Sequence, residues 1–491
     1  MDNKNTKLAV NFRLIFYLCG WVALMLAGTL LLPIIPAVLL KDGQIFLFVK
    51  SAALVSALAL LLILQGLRQS RGEIRNRDGL ATVGLAWLMI GFLGSTPYWL
   101  GGAPGGFWDG LFESFSGFST TGSTVYSDIT SLPGSILFWR ALSHWLGGMG
   151  IIVLMLAVLP GFGFSGVQLF KNESTLGQQK LRPRIAQTAK ILWMIYLGFT
   201  LILLALMKIG GLNWLDAVCQ TFSAMATGGF ANHDLSIGHY NSPFLEVILT
   251  VFMFLASLNF ALYFQAARGD FKALFKNTES RVFFFIIILA GLGVTLPLIF
   301  SGFYDSAPTA VRHSFFQVVS VISTTGFTST DWTLWPHLSQ GILFVLFFVG
   351  GSSGSTSGGM KCIRWILLFK GIHRTLRQHI HPRAVIPVRL GNQAVPESVM
   401  TAVWSFGAIY FIVLVVSTLA LAALNLDLLT AFSASASAIG NIGIAMGQVG
   451  PAENYGHLPD LAKGILCLGM FLGRLEFFAL MILFLPEFWK K

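Results

Sequence analysis

The chain has 491 residues, of which 55% are hydrophobic and only 11% are charged, and its mean hydropathy is +0.73. Soluble globular domains carry about 25% charged residues, so this composition excludes a soluble protein. Many segments reach the roughly 20 apolar residues that a helix needs to cross a bilayer. The composition therefore predicts an all-α polytopic membrane protein, in which the formal net charge of +11 needs a separate explanation.

Two apolar segments open the chain. The first, residues 11–40, has a basic start, no clear small-residue cleavage site and an apolar run too long for a signal peptide. We expect an uncleaved transmembrane helix that bends near Pro33 and Pro36. A second apolar segment continues to residue 67, so residues 1–78 are predicted to form an N-terminal two-helix hairpin.

Basic residues concentrate in every second loop. Twenty Lys and Arg residues against five acidic residues lie in the segments 68–78, 171–190, 268–281 and 361–389. Ten acidic residues against two basic ones lie in the alternate segments 98–139, 211–245, 302–338 and 425–463. The positive-inside rule places the first set in the cytoplasm, which predicts cytoplasmic N- and C-termini and an acidic outer face that attracts cations. The basic excess is thus a topology signal, and no nucleic-acid partner is expected.

Four short stretches of small residues align when each is centred on a glycine. They read SGFSTTGSTVYSD (116–128), SAMATGGFANHDL (223–235), SVISTTGFTSTDW (320–332) and SAIGNIGIAMGQV (437–449). The aligned glycines, at spacings of 107, 97 and 117 residues, are Gly122, Gly229, Gly326 and Gly443. A serine precedes each glycine by six residues. Because the chain has 52 glycines, the evidence lies in this shared context rather than in the glycine alone.

The hydropathy pattern around each stretch is the same. A long apolar segment and a short half-apolar segment precede the glycine, and a second long apolar segment follows it. The short segments, such as 107–118 and 427–439, are too short to span a bilayer and predict re-entrant pore helices. We therefore predict four repeats of identical orientation, arranged with pseudo-fourfold symmetry around a central ion pore. The predicted repeats are residues 79–171, 172–276, 277–390 and 391–491.

The glycine stretches are the candidate ion-binding site. Non-helical backbone at membrane depth is tolerated only where it is buried in protein or lines a water-filled path. Rings of backbone carbonyl oxygens can replace the water shell of a monovalent cation, and Ile442, which has no side-chain oxygen, favours such carbonyl binding. Glycines that serve only close helix packing are the alternative, but packing does not explain their recurrence at the same step of each repeat. The residues expected to bind the ion are Thr120, Thr121, Gly122, Thr227, Gly228, Gly229, Thr324, Thr325, Gly326, Asn441, Ile442 and Gly443.

The second long segment of the third repeat is interrupted by GGSSGSTSGG at residues 350–359. Ten residues of Gly, Ser and Thr cannot hold a helix that faces lipid, and residues 338–349 alone are too few to cross the membrane. We predict a loop inside the membrane that can obstruct the pore; an ordinary cytosolic turn is the alternative. The residues assigned to this gate are Gly350, Gly351, Ser352, Ser353, Gly354, Ser355, Thr356, Ser357, Gly358, Gly359, Lys361 and Arg474.

Arg474 is expected near the middle of the last spanning helix, within residues 458–489. A charge at that depth costs at least about 2.5 kcal/mol, so it needs polar company. The carbonyl groups of the interrupting loop are better candidates than Glu476, which does not share the helical face of Arg474. Snorkelling of Arg474 to the cytosolic interface, and a position of Lys361 at the cytosolic edge, are the alternatives.

Signs of catalysis or of a resident metal are weak. The cysteines are scattered singly, without metal-ligand or redox spacing, and are expected to be packing residues. A metal site on His373, His379 and His381 is conceivable, but a solvated basic face is the better interpretation. Enzymes need convergent acid, base or metal groups, which the apolar segments lack, so no enzymatic activity and no covalently bound cofactor is expected. The four cysteines are Cys19, Cys219, Cys362 and Cys467.

Over nearly its whole length the sequence resembles the superfamily of bacterial, fungal and plant potassium transporters, most closely the TrkH/TrkG branch. The resemblance rests on the four glycine stretches, on GGSSGSTSGGMKC (350–362), on GRLEFF (473–478) and on the extra hairpin at 11–67. It implies K⁺ uptake at the bacterial inner membrane by a homodimer in contact with membrane lipid. It also implies that Arg474 resembles the family's arginine near the gating loop, where a fixed positive charge would raise the barrier to cations. A cytosolic regulatory subunit of the TrkA type, on which a regulatory nucleotide binds, is implied as well.

Some expectations remain open at this stage. Tetrameric potassium channels repeat a TVGYG-like filter, whereas only the glycine recurs here, so we expect K⁺ transport with some leakage of Na⁺ or Rb⁺. The channel-like subunit of an ATP-driven potassium pump is an alternative, against which the extra hairpin and the loop and GRLE matches argue. Uptake can be proton-coupled or passive and gated; the lack of an obvious titratable pair along the predicted path favours the passive route.

Replacing Gly229 or Gly326 by serine is expected to damage K⁺ selectivity or flux, because a Cβ opposes the backbone angles that aim the carbonyl groups. Uptake of Rb⁺ as a tracer measures the effect. Unchanged Rb⁺ uptake in both variants would remove the assignment of these stretches to the ion path.

Overall fold

The computed structural model describes residues 10–67, 76–102, 106–157, 181–391 and 393–489. Within these residues the chain is helical nearly throughout. Its α-helices are α1 (Phe12–Thr29), α2 (Ile34–Leu40), α3 (Ile45–Gly66), α4 (Asn76–Gly94), α5 (Thr96–Leu100), α6 (Phe107–Phe118), α7 (Gly134–Ala157), α8 (Leu181–Ile209), α9 (Trp214–Met225), α10 (Pro243–Ala256), α11 (Phe260–Ala267), α12 (Lys272–Lys276), α13 (Thr278–Phe300), α14 (Ala307–Ile322), α15 (His337–Leu346), α16 (Cys362–Ile380), α17 (Glu397–Ala422), α18 (Leu428–Gly440), α19 (Asp460–Arg474), α20 (Phe478–Met481) and α21 (Pro486–Trp489). A short antiparallel hairpin, β1 (Arg389–Leu390) and β2 (Gln393–Ala394), follows α16.

The N-terminal hairpin packs through close backbone contact. A Cβ at Gly66 of α3 would lie 2.5 Å from the Cβ of Tyr17 in α1, so glycine lets the two helices approach. Asn11 caps α1, and its backbone N–H donates to Asp78 Oδ1 of α4 at 2.8 Å. The helix is interrupted where the bend is expected, because α1 ends at Thr29 and α2 begins at Ile34 within one apolar span, with Pro33 as the N-cap of α2.

Four helical groups follow the hairpin. The long outer helices are α4, α8, α13 and α17; the pore helices are α6, α9, α14 and α18; the second helices are α7, α10 with α11, α15 with α16, and α19. The pore helices have 12 to 16 residues, which is too short to span a bilayer. The predicted boundary at residue 79 falls inside α4, and the boundary at 391 falls inside the β1–β2 hairpin. The boundary at 171 lies outside the described residues.

The second helices are broken in more repeats than the sequence indicates. The interruption between α15 and α16 matches the expected loop, but α10 and α11 also meet at a 91° bend. In the fourth repeat α19 ends at Arg474, because Glu476 and Phe477 both have left-handed backbones, with φ of 56° and 57°. The prediction that Arg474 lies in the middle of a continuous helix is therefore wrong. Its position at a helix C-terminus is also the one that the helix dipole favours for a cation.

Six helical segments of the described residues are long and apolar enough to cross a membrane. They are Phe12–Leu40, Ile45–Gly66, Arg77–Leu100, Gln187–Ile209, Thr278–Phe300 and Glu397–Ala422. The bent pair α10 and α11 makes a seventh if it is counted as one span. Large apolar side chains on these helices stay exposed, such as Leu289 at 70% and Phe300 at 84%, as a lipid-facing surface requires. The protein is thus a multi-pass membrane protein.

A buried ion pair joins the fourth repeat to the first. Lys463 of α19 contacts the Asp109 carboxylate of α6 and also donates to the Gly456 carbonyl at 3.0 Å. Both charged side chains are at most 4% exposed. Removing one partner of a buried pair leaves an uncompensated charge and costs about 3–5 kcal/mol. The pair therefore holds together the two ends of the chain of repeats.

Asp109→Ala is expected to lower the free energy of unfolding by about 3 kcal/mol, because Lys463 is left buried without its partner. The double variant Asp109→Leu/Lys463→Met should regain most of this loss, since both charges are then gone. Thermal unfolding of the detergent-solubilised protein measures both effects. Arg374→Ala is the matched control: its pair with the exposed Glu397 should contribute less than about 1 kcal/mol. A double variant as unstable as Asp109→Ala would contradict this account.

Candidate ion pathway

All four pore helices end in the same cap. One residue with a left-handed backbone follows each helix, and the next backbone N–H returns to a serine carbonyl five residues earlier, which is the Schellman arrangement. The bonds, of 2.8–3.0 Å, join Thr121 N to Ser116 O, Gly228 N to Ser223 O, Thr325 N to Ser320 O and Ile442 N to Ser437 O. These are the four serines that recur in the sequence, and each is fully buried.

Each glycine stretch enters the left-handed region of the backbone twice. The first entry has φ of 53–58° at Thr120, Thr227, Thr324 and Asn441. The second has φ of 79–96° at Gly122, Gly229, Gly326 and Gly443. Residues with a Cβ rarely adopt the second set of angles, so the recurring glycine is a backbone requirement.

The four stretches contact one another in a closed ring. A Cβ added to any of the four glycines would overlap the carbonyl oxygen that precedes the glycine of the next repeat. The contacts run from Gly122 to Gly228 O, from Gly229 to Thr325 O, from Gly326 to Ile442 O and from Gly443 to Thr121 O. The order 1–2–3–4–1 means that the repeats surround one axis, with glycine where the stretches touch.

The carbonyl oxygens in this ring accept no hydrogen bond from any described residue. This holds for residues 120–122, 227–229, 324–326, 441 and 442. The side chains that flank these oxygens are at most 1% exposed. Buried carbonyl groups are normally paired, because an unpaired one is costly. The twelve predicted ion-binding residues therefore meet at one place, and that place offers oxygen ligands that the protein does not use. Gly443 O differs, because it accepts from Ser123 Oγ at 2.9 Å and from Tyr455 OH at 3.2 Å.

A cavity opens from the ring toward the acidic loops. Its walls include the four stretch glycines and the carboxylates Asp234 and Glu453. Arg140 also borders the cavity, but its guanidinium is paired with the buried Glu113 at 2.6 Å. The unpaired charge at this mouth is therefore negative, which raises the local concentration of cations.

The predicted gating loop lies between α15 and α16 and closes at a narrow neck. Gly350 N donates to Met360 O at 2.7 Å, and Cys362 N donates to Gly351 O at 3.0 Å. Gly350 and Lys361 form a parallel β-bridge at the same level. The two ends of the loop are thus fastened to each other, and the cytosolic-turn alternative is wrong because the loop residues between them are mostly buried.

Glu279 in the first turn of α13 holds this neck from outside. Its Oε1 accepts the backbone N–H of Ser353 at 2.8 Å and that of Ile363 at 3.0 Å. The side chain is buried, with 6% of the residue exposed. Bonds from backbone N–H groups to a carboxylate are among the stronger hydrogen bonds in proteins, so one side chain fixes both sides of the loop base.

The tip of the loop touches the glycine stretches. Thr356 Oγ1 lies 3.3 Å from Thr227 Oγ1, and Gly358 N donates to Thr324 Oγ1 at 2.7 Å. A Cβ at Gly358 would lie 2.6 Å from the Cβ of Asn441. The loop therefore contacts the first left-handed residue of three of the four stretches, directly at the ring.

Both predicted gate cations are buried against this loop. Arg474 donates to Thr356 O at 2.7 Å and to Gly147 O of α7 at 3.2 Å, and 2% of the residue is exposed. Lys361 contacts the Ser357 carbonyl and is 3% exposed. Neither side chain reaches the interface, so snorkelling of Arg474 is excluded. As expected from the sequence, a loop carbonyl, that of Thr356, accepts from Arg474, and Glu476 does not.

Sequence reasoning missed the other charges beside the loop. Glu476 pairs with Arg364 of α16, whose guanidinium also lies 3.8 Å from the Phe406 ring centroid. Together with Glu279 they show that titratable groups lie beside the loop. The sequence did contain a signal for these charges, namely the two carboxylates Glu279 and Glu476 beside apolar segments. Among the described residues no three His, Cys, Asp or Glu side chains converge as a metal site.

Glu279→Ala is expected to loosen the loop, because both backbone N–H groups lose their acceptor. The rate at which a methanethiosulfonate reagent modifies Ser357→Cys measures this, since the native cysteines are buried. The rate should rise about tenfold in Glu279→Ala and less in Glu279→Gln, which keeps one acceptor oxygen. Equal rates in all three backgrounds would show that Glu279 does not hold the loop.

The comparisons with known proteins agree with the helical membrane fold. Residues 48–491 match the family model TrkH, described as a cation transport protein. The chain is 38% identical to the Trk system potassium uptake protein TrkH of Salmonella typhimurium over 98% of its length and all of the relative's, and 33% identical to TrkG of Escherichia coli over 98% and 99%. The crystal structure of the potassium transporter TrkH from Vibrio parahaemolyticus superposes with a TM-score of 0.90 at 38% identity, covering 98% of this chain and 100% of that one. The chain therefore belongs to the TrkH family of cation transport proteins.

Proposed function

We propose that this protein takes up K⁺ across the bacterial inner membrane through the ring of four glycine stretches. The observation that carries the proposal is the closed ring of buried carbonyl oxygens that accept no hydrogen bond from the described residues. The identity of the ion is supported by relatives that are named potassium uptake proteins of the Trk system.

The stretches act as a selectivity filter. A K⁺ ion that enters loses water, and the carbonyl oxygens of the four repeats take the place of that water. The glycine and the residue two before it are left-handed in all four repeats, but only the glycine itself and the serine six residues before it recur in the sequence of all four stretches, so the filter has few well-defined sites. Its discrimination between K⁺ and Na⁺ is accordingly weaker than that of a filter with four identical sequences. The twelve residues assigned to it are those predicted from the sequence, and K⁺ is cargo rather than a resident cofactor.

The pore helices support ion entry electrostatically. Each helix ends directly at a stretch, so the partial negative charge of its C-terminus lies beside the ring. Asp234 and Glu453 add negative charge at the outer mouth. A cation is therefore attracted first by the mouth and then by the ring.

The loop of residues 350–359 is the gate, together with Lys361 and Arg474. It occupies the position directly against the inner end of the filter, and the fixed charge of Arg474 adds an electrostatic barrier for cations. Opening has to break the bonds from the loop to Thr227 and Thr324. Flux through the open state is passive, and the gate decides when it occurs.

Further features of the proposal concern assembly and placement. The protein acts as a homodimer in the lipid bilayer, with both termini in the cytoplasm. A cytosolic TrkA-type subunit, which binds the regulatory nucleotide, controls the gate; the relatives' membership of a Trk system supports such a partner. No enzymatic step is part of this function.

Rb⁺ uptake into liposomes, with and without a proton gradient, tests the proposal. Arg474→Ala and deletion of residues 351–358 are each expected to raise passive Rb⁺ flux by about tenfold, because one removes the charge barrier and the other removes the obstruction. The proton gradient should leave the flux unchanged. Arg374→Ala, which breaks an exposed ion pair on α16, is the control and should behave as the parent. A deletion variant that stays closed would contradict the gate, and absence of any Rb⁺ flux would contradict the transport function.

A further inference from the structure

The second glycine stretch differs from the others in the residue before its glycine. That residue is Thr121, Thr325 and Ile442 in the first, third and fourth repeats, but Gly228 in the second. The backbone at Gly228 is not left-handed, so its conformation does not demand a glycine. The available space does require a glycine, because a Cβ there would overlap the His144 imidazole, 2.5 Å from Cγ and 2.7 Å from Cε1.

The first and third repeats fasten this position with a pair of hydroxyl groups. Ser119 Oγ lies 2.6 Å from Thr121 Oγ1, and Ser323 Oγ lies 2.7 Å from Thr325 Oγ1. In the second repeat both partners are replaced, because Ala226 and Gly228 occupy the same two positions. The second stretch therefore lacks the fastening that the first and third repeats build from their own side chains.

His144 comes from the first repeat and fills the space that these replacements leave. It lies on α7 and is fully buried. Its Nδ1 is 3.3 Å from Ser223 Oγ at the helix cap, and its ring stacks on Phe230, with centroids 4.1 Å apart and planes at 14°. One turn further along α7, a Cβ at Gly148 would lie 2.9 Å from Ala226. Helix α7 thus packs directly along the second stretch.

Arg140, one turn before His144, extends the same contact. Its guanidinium lies 4.2 Å from the Phe230 ring centroid, on which His144 also stacks, and it donates to Ala231 O at 3.1 Å. The Glu113 carboxylate fixes the guanidinium at 2.6 Å. Residues immediately before and after Gly229 are therefore held by one face of a helix that belongs to the neighbouring repeat.

We propose that His144 is a positioning residue that sets the geometry of the second filter stretch, and thereby part of the cation selectivity. The inference rests on the proposed function of the stretches as a filter. His144 and Gly228 act as a unit that replaces the serine and threonine of the first and third repeats. The filter is then not four independent stretches, since the second takes its shape from a side chain of the first repeat.

A double-variant cycle tests this inference, with the ratio of Rb⁺ to Na⁺ flux into liposomes as the readout. His144→Ala should lower the ratio about tenfold, because the stretch can relax into the empty space. Gly228→Thr should also lower it, because the threonine meets the imidazole. In the double variant His144→Ala/Gly228→Thr the Rb⁺/Na⁺ flux ratio should be several-fold higher than the product of the two single effects predicts. The reason is that threonine then occupies the space, as in the first and third repeats. Gly228→Thr with His313→Ala is the matched control and should show no recovery.

Additive effects in the cycle, or a parental ratio in folded His144→Ala, would overturn the inference. If His144→Ala does not fold, His144→Phe replaces it: a ring of similar shape should keep the ratio within about twofold, and a larger loss in a folded His144→Phe protein would equally overturn the inference. Gly326→Ser separates this outcome from failure of the proposed function. Altered Rb⁺ flux in Gly326→Ser beside an additive cycle refutes only the role of His144, whereas unaltered flux refutes the filter itself.

Discussion

The buried carbonyl groups of the glycine stretches impose the constraint on which the rest of the structure depends. Burying peptide oxygens without hydrogen-bond donors is costly, yet among the described residues this chain does so in all four glycine stretches, at the same step of each repeat. Four Schellman caps place these oxygens, and four glycines let neighbouring stretches touch. Such oxygens call for a bound cation or a hydrogen-bond donor, and a dehydrated cation is the species that a ring of carbonyl oxygens binds best.

The surroundings of the ring follow from the need to keep it closed and to control it. The Asp109–Lys463 pair fastens the last repeat to the first, and Arg140 with Glu113 fastens the first stretch to the second. On the opposite side of the ring from the acidic mouth, the interrupting loop is bonded both to the stretches and to Arg474. The loop and the stretches are hydrogen-bonded to each other, so in the proposed mechanism a movement of the loop changes the surroundings of the inner carbonyl oxygens as well as the width of the path.

Much of this was predictable from the sequence, because the signals are local. The recurring glycine and serine reflect backbone geometry, short half-apolar segments indicate pore helices, and a run of Gly, Ser and Thr cannot continue a helix. These patterns indicate which stretches meet in the ring and which segment interrupts the helix, and the roles assigned to those residues stay predictions. The predicted family and all-helical membrane fold are confirmed by the comparisons.

What the sequence did not reveal depends on contacts between distant residues or on isolated backbone angles. The end of α19 is set by left-handed backbone angles at Glu476 and Phe477. Glutamate and phenylalanine do not predict such angles. The contacts of Glu279 and His144 exist only because α13 and α7 pack beside the loop and the second stretch. Pairwise contacts of this kind carry no periodic signal, so a single sequence cannot show them.

The most direct test of the central claim is a crystal structure of the protein in Rb⁺ or Tl⁺ with anomalous diffraction data. The account predicts anomalous density on the axis of the four stretches, within bonding distance of the carbonyl oxygens of Thr121, Gly228, Thr325 and Ile442. Ions found only elsewhere, or a ring without density at saturating ion concentration, would contradict it.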